Sequence, residues 1–129
     1  MPICFIHAHR PRSDTEVQSL MSALHQAMQA ALGVPDDDHD IRYVEHRAAH
    51  CRVPGGKSDD YLLVIVHLFP GRSIAAKRAL YQAIVQRFAE AGTPAGEVNI
   101  LLQVAPLEDF GLRSGQAACD LDLGFKLDV

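Results

Sequence analysis

The residue with the most chemical potential in this chain is Pro2, because removal of the initiator Met1 would leave it as a secondary amine at the chain start. Such an amine can act as base, acid or nucleophile. An α-amino group has an ordinary pKa of about 8, and burial beside apolar walls lowers it toward neutrality, where proton transfer is most effective. The apolar stretch Ile3-Cys4-Phe5-Ile6 would hold the amine rigidly at the head of a strand. A Met-Pro start also occurs in proteins where it does nothing, and an attached Met1 would turn the amine into an amide incapable of this chemistry.

A second feature is Gly71-Arg72-Ser73, at the turn from an apolar strand into a helix. Free backbone N–H groups and the helix dipole attract anions there, and the guanidinium fork of Arg72 fits a carboxylate. A small carboxylate-bearing substrate is the expected guest. The bland alternative makes Arg72 a solvated turn residue and Ser73 a helix cap. Arg12-Ser13 repeats the pattern earlier in the chain, so either copy can be vestigial.

Seven histidines raise the question of a metal, with His7 and His9 alternating on one strand and His46, His50 and Cys51 close in sequence. Zinc favours such ligands, but no Cys pair accompanies them. The reading is that His7 and His67 are stacked, hydrogen-bonded strand residues and that His25 packs beside its helix; no metal or other cofactor is expected. The thiols Cys4, Cys51 and Cys119 have no Cys-x-x-Cys spacing and an odd count, which points to reduced cysteines, Cys4 simply packing in its strand.

These groups must be positioned by a repeated unit. Ile3-Cys4-Phe5-Ile6-His7 followed by Arg12-Ser13 recurs sixty positions on as Leu63-Val64-Ile65-Val66-His67 followed by Arg72-Ser73. The register continues through Leu20 with Leu80, Leu24 with Ile84 and Met28 with Phe88. It then slips, so that Gly33-Val34-Pro35 answers Gly92-Thr93-Pro94. Each unit reads as strand, helix, strand, about 2–47 and 61–104, followed by a C-terminal segment 105–129. In the first helix Val17, Leu20, Met21, Leu24, Met28, Ala31 and Leu32 share one face; Ser13 with Glu16 makes a capping box, and Gly33 with Pro35 ends the run. A helix joining two strands of one sheet makes them parallel neighbours. The expected fold is therefore α+β, a tandem βαβ duplication with a four-stranded mixed sheet and two helices on one face.

Leu62 to Phe69 is apolar at nearly all positions, odd and even, whereas a strand with one wet face should alternate. A second subunit is the expected cover, in a closed homo-oligomer. Residues 46–60, with Pro54-Gly55-Gly56, read as a connection with room for a short hairpin, and 121–129 as an edge strand for a neighbouring subunit. The chain has 129 residues, 48% apolar and 22% charged, the size of one ordinary domain. A net charge of -4, with Asp36, Asp37, Asp38 and Asp40 bunched together, leaves no basic stripe for nucleic acid. No apolar run is long enough to span a bilayer, so no membrane partner and a cytoplasmic setting are expected.

Met-Pro at the start, Gly-Val-Pro followed by Asp38, and an apolar strand entering Gly71-Arg72-Ser73 with Lys77 beyond together resemble the tautomerase superfamily. The likeness covers nearly the whole chain and points to the group containing malonate semialdehyde decarboxylase, trimers of βαβ-duplicated subunits. It implies that Pro2 is the catalytic amine, that Asp38 assists it or activates water, that Arg72 anchors a 2-oxo or 3-oxo acid, and that the assembly is a homotrimer. It departs from the decarboxylase pattern where Pro70 replaces a second arginine, where Phe110 replaces a bulky tryptophan wall and where Leu112 replaces another aromatic. Keto-enol tautomerisation is the function these parts suit, with a decarboxylase or hydratase, or a catalytically silent binding member, as the alternatives.

Overall fold

The computed structural model describes residues 2–124. Strand β1 (Ile3–Ala8) leads to helix α1 (Asp14–Leu32) and strand β2 (Asp40–Glu45), and the second unit repeats this as β3 (Leu62–Leu68), α2 (Ile74–Glu90) and β4 (Val98–Val104). The sheet order is β2-β1-β3-β4. Pairs β1/β2 and β3/β4 are parallel, as a helical crossover requires, and the two units join through antiparallel β1 and β3. The duplication extends to the backbone of the caps. Ser13 sits at φ -67°, ψ 159° and Ser73 at φ -70°, ψ 162°, each accepting from the amide three residues on. The expected Ser13–Glu16 capping box is present, and Gly33 closes α1 in the left-handed region at φ 69°, which costs a glycine little.

Both helices cover one face of the sheet. Leu20, Leu24, Met28 and Leu32 of α1 and Leu80, Ile84 and Phe88 of α2 are buried against Cys4, Ile6, Val64 and Val66. Ala23 and Ala27 join this stripe, and such small residues let α1 and α2 lie side by side. Phe88 is fully buried, so Phe88→Ala is expected to lower unfolding stability by about 3–5 kcal/mol, measured by urea titration. The buried Cys4 thiol lies 3.5 Å from the Met28 sulfur, and burial pushes its pKa up to about 12, leaving it a packing residue without nucleophilic character at neutral pH. No helix among the described residues is long and apolar enough to cross a membrane.

On the other face, register aligns Arg42, Phe5, Ile65 and Leu101 in one row and Val44, His7, Leu63 and Asn99 in the next. The side chains of β1 and β3 pointing this way are only partly covered, and Leu101 is 47% exposed. Antiparallel pairing sets His7 opposite Leu63 and Ile3 opposite His67, so the two equivalent histidines have different neighbours. His7 stacks on His46, with Nδ1 and Nε2 2.8 Å apart, and His67 meets the edge of Phe5. Burial, and secondly His46, hold the His7 pKa below its ordinary 6.5. The unfolded chain then takes up this proton more readily than the folded one, so stability falls as pH drops through and below that value. Urea titrations at about pH 7.5 and about pH 5 should show this loss in the wild type and a smaller one in His7→Phe.

Residues 46–60 connect the two units as expected, without the short hairpin they had room for. They form a 3-10 turn at Ala48–His50 and no strand, because their polar groups are tied to the loop before β4: Ser58 N–H donates to the Glu97 carboxylate and Lys57 Nζ to the Gly96 carbonyl. After β4 the chain makes the small antiparallel pair β5 (Gly111–Leu112) and β6 (Gln116–Ala117). The expected edge strand at 121–129 falls largely at 125–129, outside the described residues.

Candidate active site at one end of the sheet

The antiparallel join brings distant residues to one end of the sheet. Pro2 lies just before β1, whose first residue, Ile3, pairs with Asp40 at the head of β2 and with His67 near the tail of β3. The stretch before β2 carries Asp38, and the stretch after β3 carries Phe69, Pro70, Gly71 and Arg72. Pro2 is fully buried there. Asp38 is half-buried and set by a turn in which its N–H donates to the Pro35 carbonyl at 3.1 Å. Gly71 adopts φ 120°, a conformation that favours glycine, and this lets the chain swing from β3 into α2 with Arg72 turned inward.

Arg72 is only 8% exposed. One Nη donates to the Phe69 carbonyl at a long 3.4 Å, and the buried Nε has no hydrogen-bond partner among the described residues. Burial pulls the guanidinium pKa down while the nearby Asp38 carboxylate opposes it; an arginine retains its charge at neutral pH regardless. A buried cation with an unsatisfied donor is costly unless an anion completes it.

Arg12, the repeat partner of Arg72, stands at the other end of the sheet, beyond the tail of β1. Its side chain is as deeply buried, but its fork is occupied: it donates to the Tyr43 hydroxyl at 3.0 Å and to the Asp60 carbonyl at 3.3 Å, with the Asp60 carboxylate at 3.9 Å. Within one chain Arg12 is therefore not brought to Pro2, and its donors are spent on structure. Ser73 is exposed and its Oγ accepts from the Ala76 amide, so it caps α2.

A cleft of about 420 Å³ opens next to Asp38, lined by Asp38, Phe69 and Leu112 together with Pro35, Asp37, Arg113 and Leu123; Pro2 and Arg72 do not line it. Phe110 lies behind Phe69, edge to face at 4.4 Å between ring centres. The hairpin carrying Leu112 is held by Ala118 N–H to the Phe110 carbonyl and turns at Arg113 and Ser114, both at positive φ. Phe69 and Leu123 escaped the sequence reading. An aromatic ending an apolar strand just before Gly71-Arg72 was a usable signal for the first; nothing marked the second. Asp36 is exposed, as a solvated residue of an acidic loop is, whereas Asp40 heads β2 half-buried and pairs with Arg42. Among the described residues, no group of three or more His, Cys, Asp or Glu side chains is arranged to hold a metal.

The duplicated βαβ sheet, with the head of β1 and the tail of β3 at one end, is shared with known proteins. A sequence profile described as "Tautomerase enzyme" matches residues 41–113, and the chain belongs to the tautomerase family. Over 125 residues it is 30% identical to a Bacillus subtilis (strain 168) protein, "Probable tautomerase YusQ", with 91% of this chain and 97% of that one aligned. Malonate semialdehyde decarboxylase superposes with a TM-score of 0.84 at 24% identity, covering 93% of this chain and 99% of that one. A symmetric trimer of wild-type fused 4-OT superposes with a TM-score of 0.76 at 27% identity, covering 91% and 96%.

Proposed function

We propose that this protein is an oxo-acid tautomerase in which the Pro2 amine, freed by loss of Met1, moves a proton between carbon and oxygen. The observation that carries this reading is the buried Arg72 guanidinium, whose Nε lacks a partner among the described residues, at the same end of the sheet as Pro2. The substrate carboxylate completes Arg72, and N–H groups at the start of α2 add to the anion's field. The neutral amine takes a proton from the carbon next to the carbonyl, the C–H electrons form the enolate, and a proton returns to oxygen to give the enol. Asp38, half-buried and within the field of Arg72, orients or exchanges protons with the amine. Phe69, backed by Phe110, and Leu112 wall the reacting carbon from water.

The partly covered apolar face of β1 and β3 supports assembly into a homotrimer, the state of the fused 4-OT proteins that share this fold. Decarboxylation is the weaker reading because Pro70 supplies no second cation. The test is intact mass of the purified protein followed by exchange of the C3 protons of a 2-oxo acid in deuterated water. Loss of Met1 together with catalysed exchange supports the enzyme. A retained Met1, or exchange no faster than in buffer, leaves a binding protein without catalysis.

A further inference from the structure

We infer that the paired imidazoles of His7 and His46 make assembly on the open sheet face pH-dependent: a second copy of this chain covers the pair while one ring is neutral and is released when both are cations. The inference rests on the homotrimer reading above and adds a control to it. His7 stands on that face in the row Val44, His7, Leu63 and Asn99. Its Nδ1 lies 2.8 Å from Nε2 of His46, a hydrogen bond in which one nitrogen must donate and the other accept. A first added proton leaves donor and acceptor in place and makes the bond charge-assisted. A second turns both nitrogens into donors aimed at each other and sets two cations with ring centres 5.1 Å apart. The contact then has to open.

The surroundings do not offset that second charge. The two rings share a hollow of about 260 Å³ with His9, Cys51 and Arg52 and with apolar walls that include Leu63 and Ile65, and no carboxylate lines it among the described residues. Arg52 adds a further cation. Along β1, Phe5 stacks on His7 and is itself met by Arg42 and by the edge of His67. Asp40 stands two rows from His7 and pairs with Arg42, Glu45 lies beside Ala8 on the helix side, and Asp60 is engaged by Arg10. Water is what remains to solvate a doubly charged pair, and cover by a second copy removes it. The free subunit therefore binds protons that the assembled one must release, and assembly weakens as pH falls. The change belongs below the ordinary imidazole value of 6.5, where burial and His46 already hold His7.

Sedimentation velocity of the full chain over a concentration series, at about pH 7.5 and about pH 5, tests this. The concentration at which half the chains are assembled should rise at least about tenfold at the lower pH, with circular dichroism showing the released subunits folded. His7→Asn and His46→Gln each place an amide near the bonded nitrogen but do not titrate; both should assemble at the higher pH and show less than about a threefold rise. His67→Gln, on the same face but outside the pair, should keep the wild-type response. An assembly indifferent to pH, one lost only together with unfolding, a full response in both pair variants, or failure of both to assemble at the higher pH overturns the inference and leaves the trimer standing. A wild type that is monomeric at both pH values removes the trimer reading and this inference with it.

Discussion

Arg72→Met should lower kcat/KM toward a 2-oxo acid by on the order of 10- to 150-fold, mainly through KM, if the proposed function holds. The variant loses a charge-assisted contact to the carboxylate worth about 1.5–3 kcal/mol while leaving the amine in place. The same change is expected to leave unfolding stability unchanged or slightly raised, because the native guanidinium is buried with its Nε unsatisfied by the described residues. Arg12→Met should behave in the opposite way. It strips donors from the Tyr43 hydroxyl and the Asp60 carbonyl and should cost about 1–3 kcal/mol of stability. Steady-state kinetics and urea titration of the two variants, side by side, separate a receptor arginine from a structural one. Equal kinetic and stability effects in both would remove the distinction between the repeats.

Pro2→Ala replaces a rigid secondary amine with a freely rotating primary one and should lower kcat by up to about 10²-fold, the lower end of what a positioned acid-base group contributes. The residue is fully buried at the head of β1, so its ring fixes the direction of the amine as well as supplying it. KM should change little, since the carboxylate anchor proposed at Arg72 is untouched. A form with Met1 retained should be slower than the variant, because an amide nitrogen cannot accept the proton whereas the amine of the Pro2→Ala variant still can. Stopped-flow ketonisation of an enol acid, on protein whose amino terminus has been verified by mass spectrometry, measures both. Wild-type rates in Pro2→Ala would move the catalytic base elsewhere, with Asp38 the first group to substitute.

Much of this architecture was legible because it is local or periodic. The offset of sixty follows from side chains that must face the same way in two copies of one unit. Ser13 and Ser73 mark helix starts because a short hydroxyl can satisfy an exposed amide there, and Gly33 marks an end because it tolerates a left-handed turn. The apolar residues of β3 on both faces signalled a sheet with more to cover than two helices reach. Where local pattern carried no information, the reading stayed open. Residues 46–60 have the composition of a hairpin turn, but their donors find Glu97 and Gly96, some forty positions away, and no ladder forms.

The sequence by itself determined the duplication, the element order, the caps and the residue types capable of chemistry. Tertiary structure decided which of them meet. Antiparallel pairing of β1 with β3 puts Pro2 at the same end of the sheet as Arg72 and Arg12 at the far end, and it separates His7 from His67 while His7 meets His46. Arg12-Ser13 and Arg72-Ser73 are identical as text, and only packing gave the Arg12 fork two acceptors while leaving the Arg72 Nε without a partner among the described residues. Local propensity reads a few residues at a time, whereas burial and hydrogen-bond satisfaction depend on neighbours dozens of positions away in the chain.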